Sequence, residues 1–316
     1  MSDPAAPTPA FPPLLVVAGG SATGKTGLSL ALAQALGDAE IISADSRQVY
    51  RYMDIGTAKI GAAERAQVRH HGLDLVDPDK GFTAADFQRH AYAVLPDIAA
   101  RSRWAILVGG TGLYLRTVAR GMPFDTDAAD PGVRAALEER LDREGLAILA
   151  AELERSAPLL AAATHLANPR RVVRALERAQ LLGDRLPEAP RGYPGGVFWI
   201  GLRLGREEQD RRIVQRAAGQ FSAGLVVEAV ALRERFGVHP RAFSAFGYYE
   251  ALSVADGLID EATAVARDAA RTRAYARRQA TWFRGEPGIH WLSGAEDPLP
   301  AALEAMRPWL EGQGGR

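Results

Sequence analysis

The sequence predicts an α/β fold: a parallel sheet flanked by helices, with a phosphate loop after the first strand and a helical insertion domain. Three observations carry this. Short apolar runs recur between segments of helical character, a glycine-rich string ending in Gly-Lys-Thr follows the first of them, and the stretch 122–195 carries helix signals but no convincing strand.

Leu14-Leu-Val-Val-Ala18 is wholly apolar and bounded by Pro13 and Gly19, as a strand buried on both faces should be. Thr26 to Leu36 reads as a helix stopped by Gly37. Glu40 to Ser43 reads as a second strand and Gly72 to Val76 as a third. Thr83-Ala-Ala-Asp86 has capping-box spacing, which opens a helix to Ala100. Trp104 to Val108 is another buried strand, followed by Gly109-Gly-Thr-Gly112 and a helix. The pattern changes after Gly121. Asp130-Pro131 and Asn168-Pro169 each pair an N-cap residue with proline at the first helical position. Pro and Gly crowd 186–196 as a linker, and Val197 to Leu204 returns as a strand. Residues 206–284 read as helical, with Ile289 to Leu292 a short strand. The expected division is a tail over 1–13, a core of 14–121 and 196–310, and an insertion over 122–195.

The 316 residues are 47% hydrophobic, enough for a large core. Lys+Arg and Asp+Glu balance at 38 each, which leaves room for a local basic face toward nucleic acid. The absence of cysteine excludes disulfides, Cys-based zinc sites and a thiol nucleophile, and fits a reducing cytoplasm. Residues 1–13 lack the basic start and apolar run of a signal peptide and read as disordered; Glu311 to Arg316 read as a frayed end. No apolar run reaches the ~18 residues of a membrane span, so no membrane association is expected.

Gly19, Gly20, Ser21, Ala22, Thr23, Gly24, Lys25 and Thr26 match G-x-x-x-x-G-K-[ST] in full, after a buried strand and before a helix. The fold expected is therefore P-loop NTPase-like. Backbone N–H groups and the helix N-terminus would hold phosphate oxygens, Lys25 would add a point charge, and the Thr26 hydroxyl suits Mg²⁺. The motif specifies phosphate or pyrophosphate and does not by itself specify ATP. A nucleoside triphosphatase also needs an Asp at a strand end, whereas Trp104–Val108 runs into Gly109; Asp45, after the second strand, is the other candidate for holding metal. His70 and His71 are adjacent, so on a strand they point to opposite faces and make a poor joint chelate. Arg170, Arg174 and Arg178 fall on one helix face, as do Arg267, Arg271 and Arg278, and Arg273, Arg277 and Arg284 form a further stripe. Such stripes fit phosphate contacts, or pairing with acids such as Glu177 and Asp268.

Four blocks in order resemble the bacterial tRNA dimethylallyltransferase family: Ser43-Ala-Asp-Ser-Arg-Gln-Val-Tyr50 continued by Met53-Asp-Ile-Gly-Thr-Ala-Lys59; Val108-Gly-Gly-Thr-Gly-Leu-Tyr114; Arg171-Val-Val-Arg-Ala-Leu-Glu177; and Thr272 to Arg284. The resemblance spans about 14–292. It departs from the family pattern at Leu166-Ala-Asn168, where Pro-Asn-Asp is frequent, and at Gly247-Tyr-Tyr-Glu250, where the third position is often lysine. It implies transfer of a dimethylallyl group from dimethylallyl pyrophosphate to N6 of adenine 37, beside the anticodon of tRNAs reading codons that begin with U. Asp45 would be the general base, Thr111 would lie beside base and pyrophosphate, and Arg216 would hold the pyrophosphate. On pattern alone Arg216, four residues after Arg212, reads as a solvated helix arginine. Asp45, Ser46, Arg47, Gln48, Thr111 and Arg134 would face tRNA, with Arg170, Arg171, Arg174, Arg277 and Arg278 on its phosphates, along a groove between core and insertion. The expected partners are tRNA and the prenyl donor, the cofactor Mg²⁺, and the state a monomer.

The rival readings are an adenylate isopentenyltransferase acting on free nucleotide, a P-loop small-molecule kinase with Asp45 as base or metal ligand, and a non-catalytic nucleotide-binding module. The long insertion with its arginine stripe argues against the first, and the Asp-Ser-Arg-Gln segment against the last.

Overall fold

The computed structural model describes residues 11–101, 104–124 and 128–313. By backbone contacts the chain separates into two compact units, Met1–Gly121 with Gly192–Arg316, and Met122–Arg191.

The first unit opens with β1 (Leu14–Gly19), α1 (Lys25–Leu36), β2 (Ala39–Ser43), α2 (Ala62–Gln67), β3 (His70–His71), α3 (Ala84–Ala100), β4 (Trp104–Gly109) and α4 (Gly112–Ala119). All the strands run parallel in the order β3-β2-β4-β1-β5-β6, with β5 (Val197–Arg203) and β6 (Ile289–Ser293) contributed by the second half of the chain. Both faces of β1 are buried, which explains its unbroken apolar sequence. Leu14, Val16 and Ala18 join a large cluster with α3 and α4, while Leu15 and Val17 pack with Leu28 and Leu32 of α1. The Thr83 capping box forms in full: Asp86 N–H donates to the threonine hydroxyl, and the Asp86 carboxylate accepts from Thr83 N–H.

The strand expected at Gly72 to Val76 does not form. The chain turns at Gly72, whose φ is +79°, because β3 passes so close to β2 that a Cβ there would lie 2.5 Å from the Ser43 carbonyl oxygen. Asp74 also has positive φ, and only Val76 makes a bridge, to Tyr50. The ordered pairing is instead His70–His71 against Ile41 and Ile42.

The second unit is helical among its described residues: α5 (Pro131–Glu144), α6 (Leu146–Ser156), α7 (Pro158–Ala162) and α8 (Pro169–Leu182). Asp130 and Asn168 cap α5 and α8 as expected, accepting from Val133 and Arg171 N–H respectively. Leu137, Leu149, Leu153, Val172 and Leu176 form a separate core. The insertion was expected to reach 195, but residues 192–195 pack with the first unit: Gly192 N–H donates to the Arg120 carbonyl and the Tyr193 hydroxyl to the Pro12 carbonyl. The same contact corrects the tail. Phe11 stacks edge-on against Tyr92 and Tyr193, so residues 11–13 belong to the core, while the remainder of the expected tail lies outside the described residues.

After β5 the helical stretch divides into α9 (Arg206–Ser222), α10 (Leu225–Phe236), α11 (Pro240–Phe243), α12 (Tyr248–Ala255) and α13 (Glu261–Arg284); β6 and α14 (Leu299–Gln313) complete the unit. The frayed end expected from Glu311 is helical to Gln313, because Met306 and Ala302 anchor α14 on the α1 face of the sheet.

Candidate active site

The C-terminal ends of β1, β2 and β4 open into a cavity of about 450 Å³ within the first unit. In an open parallel sheet this is where a ligand crevice belongs. Ser21, Lys25 and Thr26 of the phosphate loop line it, together with Asp45, Arg47 and Gln48 after β2, Gly109 and Gly110 after β4, Arg216 of α9 and Arg278 of α13. Residues separated by most of the chain thus converge on one space.

The loop turns tightly between β1 and α1, with positive φ at Ala22 and Gly24, the kind of turn that can gather peptide N–H groups on one side. Lys25 Nζ donates to the Gly20 carbonyl at 2.6 Å. Burial lowers its pKa to about 8; Asp45 acts in the opposite direction, and Arg216 adds to the lowering. Arg216 is reachable from the cavity, yet the protein packed around its guanidinium lowers its pKa as well, while Asp45 and Asp268 oppose that shift. Two cations, Lys25 half-buried and Arg216 exposed to solvent, therefore face one space, an environment that favours an incoming polyanion.

Asp45 follows β2 in an Asx turn: Arg47 N–H donates to its Oδ1 at 2.8 Å. Ser46 N–H donates to the Thr111 hydroxyl at 3.0 Å, and Thr111 N–H to the Ala44 carbonyl at 3.3 Å. Thr111 thus ties the turn after β4 to the Asp45 segment, but neither Thr111 nor Ser46 lines the cavity, whereas Asp45, Arg47, Gln48 and Tyr275 do. Gln48 accepts from Ser43 Oγ and donates to the Thr57 carbonyl, so its amide braces the strand end. Arg47 donates to the Arg241 carbonyl.

Thr26 lines the cavity, and its hydroxyl makes no hydrogen bond among the described residues, which leaves it free to serve as a single hard oxygen donor for Mg²⁺. No three His, Cys, Asp or Glu side chains cluster among the described residues, so pyrophosphate oxygens and water would complete such a coordination shell. His70 and His71 do not share a target: His70 Nδ1 lies 2.7 Å from the Val68 carbonyl and His71 Nε2 2.7 Å from Glu40.

Arg134 and Arg174 lie in the second unit and converge on the buried carboxylate of Glu177, Arg134 through two hydrogen bonds of 3.1 and 2.9 Å. Both side chains pair with Glu177, the alternative the sequence left open for Arg174, whereas Arg134 was expected to face tRNA. Arg170 and Arg171 are exposed on α8. On α13, Arg277 is exposed, whereas Arg271, Tyr275, Arg278 and Gln279 make the face that lines the cavity. Arg271 pairs with Glu250 of α12 at 2.7 Å. Asp268, one turn earlier, is buried beside Glu250, and burial followed by that like charge raises its pKa to about 6.

The arrangement has residues that sequence reasoning missed. Gln279 and Tyr275 sit inside the matched C-terminal block but were not singled out. Their spacing with Arg271, at i, i+4 and i+8, was a readable signal of a shared face. Phe246, 5.1 Å from the Tyr275 ring, had no comparable signal.

A glycine-rich loop after β1, two cations and a carboxylate at the strand ends define a P-loop-like α/β protein whose cavity suits a phosphorylated ligand. A family model described as IPP transferase matches residues 48–286. The chain is 43% identical over 301 residues to a tRNA dimethylallyltransferase of Symbiobacterium thermophilum, covering 93% of this chain and 94% of that one. It is similar in structure to the full-length tRNA isopentenylpyrophosphate transferase of Bacillus halodurans, with a TM-score of 0.69, 36% identity and 95% of each chain covered. A eukaryotic dimethylallyltransferase acting on tRNA shares the fold at TM-score 0.80 and 23% identity, over 96% of this chain and 80% of that one. The chain belongs to the tRNA dimethylallyltransferase family of prenyl-transferring enzymes.

Proposed function

We propose that the protein transfers the dimethylallyl group of dimethylallyl pyrophosphate to N6 of adenine 37 in tRNAs that read codons beginning with U. The observation that carries this reading is that Lys25, Arg216 and Asp45 share one cavity. A kinase would place its cations likewise; the carboxylate segment continuing into Ser46-Arg47-Gln48 fits a base acceptor.

In the reaction the C1–O bond of the donor breaks as the N6–C1 bond forms. The bonding pair leaves with pyrophosphate, whose growing charge meets Lys25, Arg216 and the loop N–H groups. Mg²⁺, held by Thr26, would neutralise part of that charge. The exocyclic amine is a weak nucleophile that turns acidic as the new bond forms. Asp45 Oδ1 is occupied by Arg47 N–H, so Oδ2 accepts the amine hydrogen bond and then the proton. The adenine must leave its stacked loop to reach the cavity, a step that costs least in a single-stranded loop. Tyr275 and Phe246 offer aromatic surface for it. Arg170, Arg171, Arg277 and Arg278 supply cations for tRNA phosphates. The proposed enzyme acts as a monomer in the cytoplasm on free tRNA. Among the described residues no helix is long and apolar enough to cross a membrane.

The test is incubation of the protein with labelled donor, Mg²⁺ and unmodified tRNA, followed by nucleoside analysis. Label in N6-prenylated adenosine at position 37 supports the reading. Label in free adenylate, or phosphoryl transfer from ATP, replaces it with one of its rivals.

A further inference from the structure

The side chain of Gln279 is buried, at 6% exposure, and both ends of its amide are committed to main chain of two different loops. Its Oε1 accepts from Ser21 N–H at 2.8 Å and from Ser21 Oγ at 3.2 Å, on the phosphate loop. Its Nε2 donates to the Gly110 carbonyl at 2.9 Å, in the turn after β4. The fit leaves no slack: a Cβ on Gly110 would lie 2.3 Å from Gln279 Nε2. Ser21 is held from the other side too, since Gln209 Nε2 of α9 donates to its carbonyl at 2.8 Å. Each polar group of the Ser21 peptide is therefore matched to a glutamine, and the loop cannot shift without disturbing Gln279.

The path continues toward the carboxylate. Gly110 precedes Thr111, whose hydroxyl accepts Ser46 N–H, and Ser46 adjoins Asp45. A packing glutamine would satisfy its amide on its own helix or a neighbouring one. This amide instead bridges the loop that would hold the pyrophosphate and the turn that positions the acceptor segment.

We propose that Gln279 is a positioning residue that couples the two substrate sites, so that pyrophosphate on the phosphate loop sets the Thr111–Ser46–Asp45 segment for the acceptor base. The proposal rests on the prenyl-transfer reading above. Coupling of this kind is reciprocal: pyrophosphate tightens acceptor tRNA binding by the factor with which tRNA tightens pyrophosphate.

The experiment measures tRNA affinity with and without saturating magnesium pyrophosphate in the wild type, Gln279→Met and Gln279→Glu. Methionine keeps the length and removes every hydrogen bond. Glutamate keeps the acceptor for Ser21 and replaces the donor to Gly110 with a carboxylate oxygen. The wild type is expected to bind tRNA on the order of fivefold tighter with pyrophosphate present, and each folded variant to lose that difference to within about twofold. A purely structural role would lower thermal stability without altering the ratio. Coupling that persists in either folded variant, or a wild type without coupling, overturns the proposal. A wild type that transfers no prenyl group to tRNA overturns the functional reading instead, and prenyl transfer with undiminished coupling in the variants removes only the role of Gln279.

Discussion

Lys25 is the residue on which the donor site turns. Burial leaves its ammonium easier to deprotonate than an exposed lysine, with a pKa of about 8. Pyrophosphate favours the charged form and raises that value on binding. Above pH 8 the free protein must take up a proton to bind, so pyrophosphate affinity falls as pH rises from 7 to 9.5, approaching tenfold per pH unit. Isothermal titration across that range checks the slope, and Lys25→Met should flatten it. Asp268 carries the opposite case. The folded protein keeps this proton up to about pH 6, whereas in the unfolded chain the group returns to the ordinary aspartate value of 3.8. The stability it contributes is present at acid pH and is lost as pH rises from 4 through 6. Relative to wild type, Asp268→Asn is therefore expected to gain denaturant stability at pH 7 over pH 4.5. An unchanged difference between the two pH values counts against the burial of this carboxylate.

Among the elements, α8 is stitched to α5 by Glu177, which accepts from Arg134, Arg174 and the Asp130 N–H. Glu177→Ala strands these donors and should cost the second unit about 2 kcal/mol, read as faster proteolysis within 122–191. At this scale the sequence was readable in some places and opaque in others, for physical reasons. β1 and β4 run through the middle of the sheet and are apolar throughout, as strands covered on both faces are, and β5 is apolar up to the exposed Arg203 at its end. The caps at Thr83, Asp130 and Asn168 are local hydrogen bonds, so their residues announce them. β3 was misplaced because its end depends on how closely Gly72 approaches Ser43, a tertiary contact that no local pattern encodes. The roles of the arginines divided in the same way. Periodicity finds a stripe, but whether Arg174 meets solvent or Glu177 depends on a partner in three dimensions. Lys25 and Thr26 were legible because a long phosphate-loop motif carries them to the cavity, whereas Asp45 and Arg216 were assigned there by the resemblance, Arg216 against its helix pattern.

For the whole molecule, the division into two units suggests a separable design. Gly192 N–H bonds the Arg120 carbonyl at 2.9 Å, so the chain leaves and re-enters the first unit at adjacent points. Deleting 122–191 and joining Gly121 to Gly192 should leave a folded unit that binds pyrophosphate with near wild-type affinity and loses most of its affinity for tRNA, as filter binding would show. Loss of pyrophosphate binding in a folded deletion would place part of the donor site in the insertion. The account as a whole rests on Asp45 as the group that takes the amine proton. The most direct measurement is single-turnover transfer of labelled dimethylallyl to unmodified tRNA by the wild type and Asp45→Ala, with pyrophosphate affinity measured in parallel. The account predicts at least a hundredfold slower transfer with pyrophosphate binding retained, within the range of about 10²–10⁴ that general-base catalysis supplies. Transfer at the wild-type rate in Asp45→Ala would contradict it.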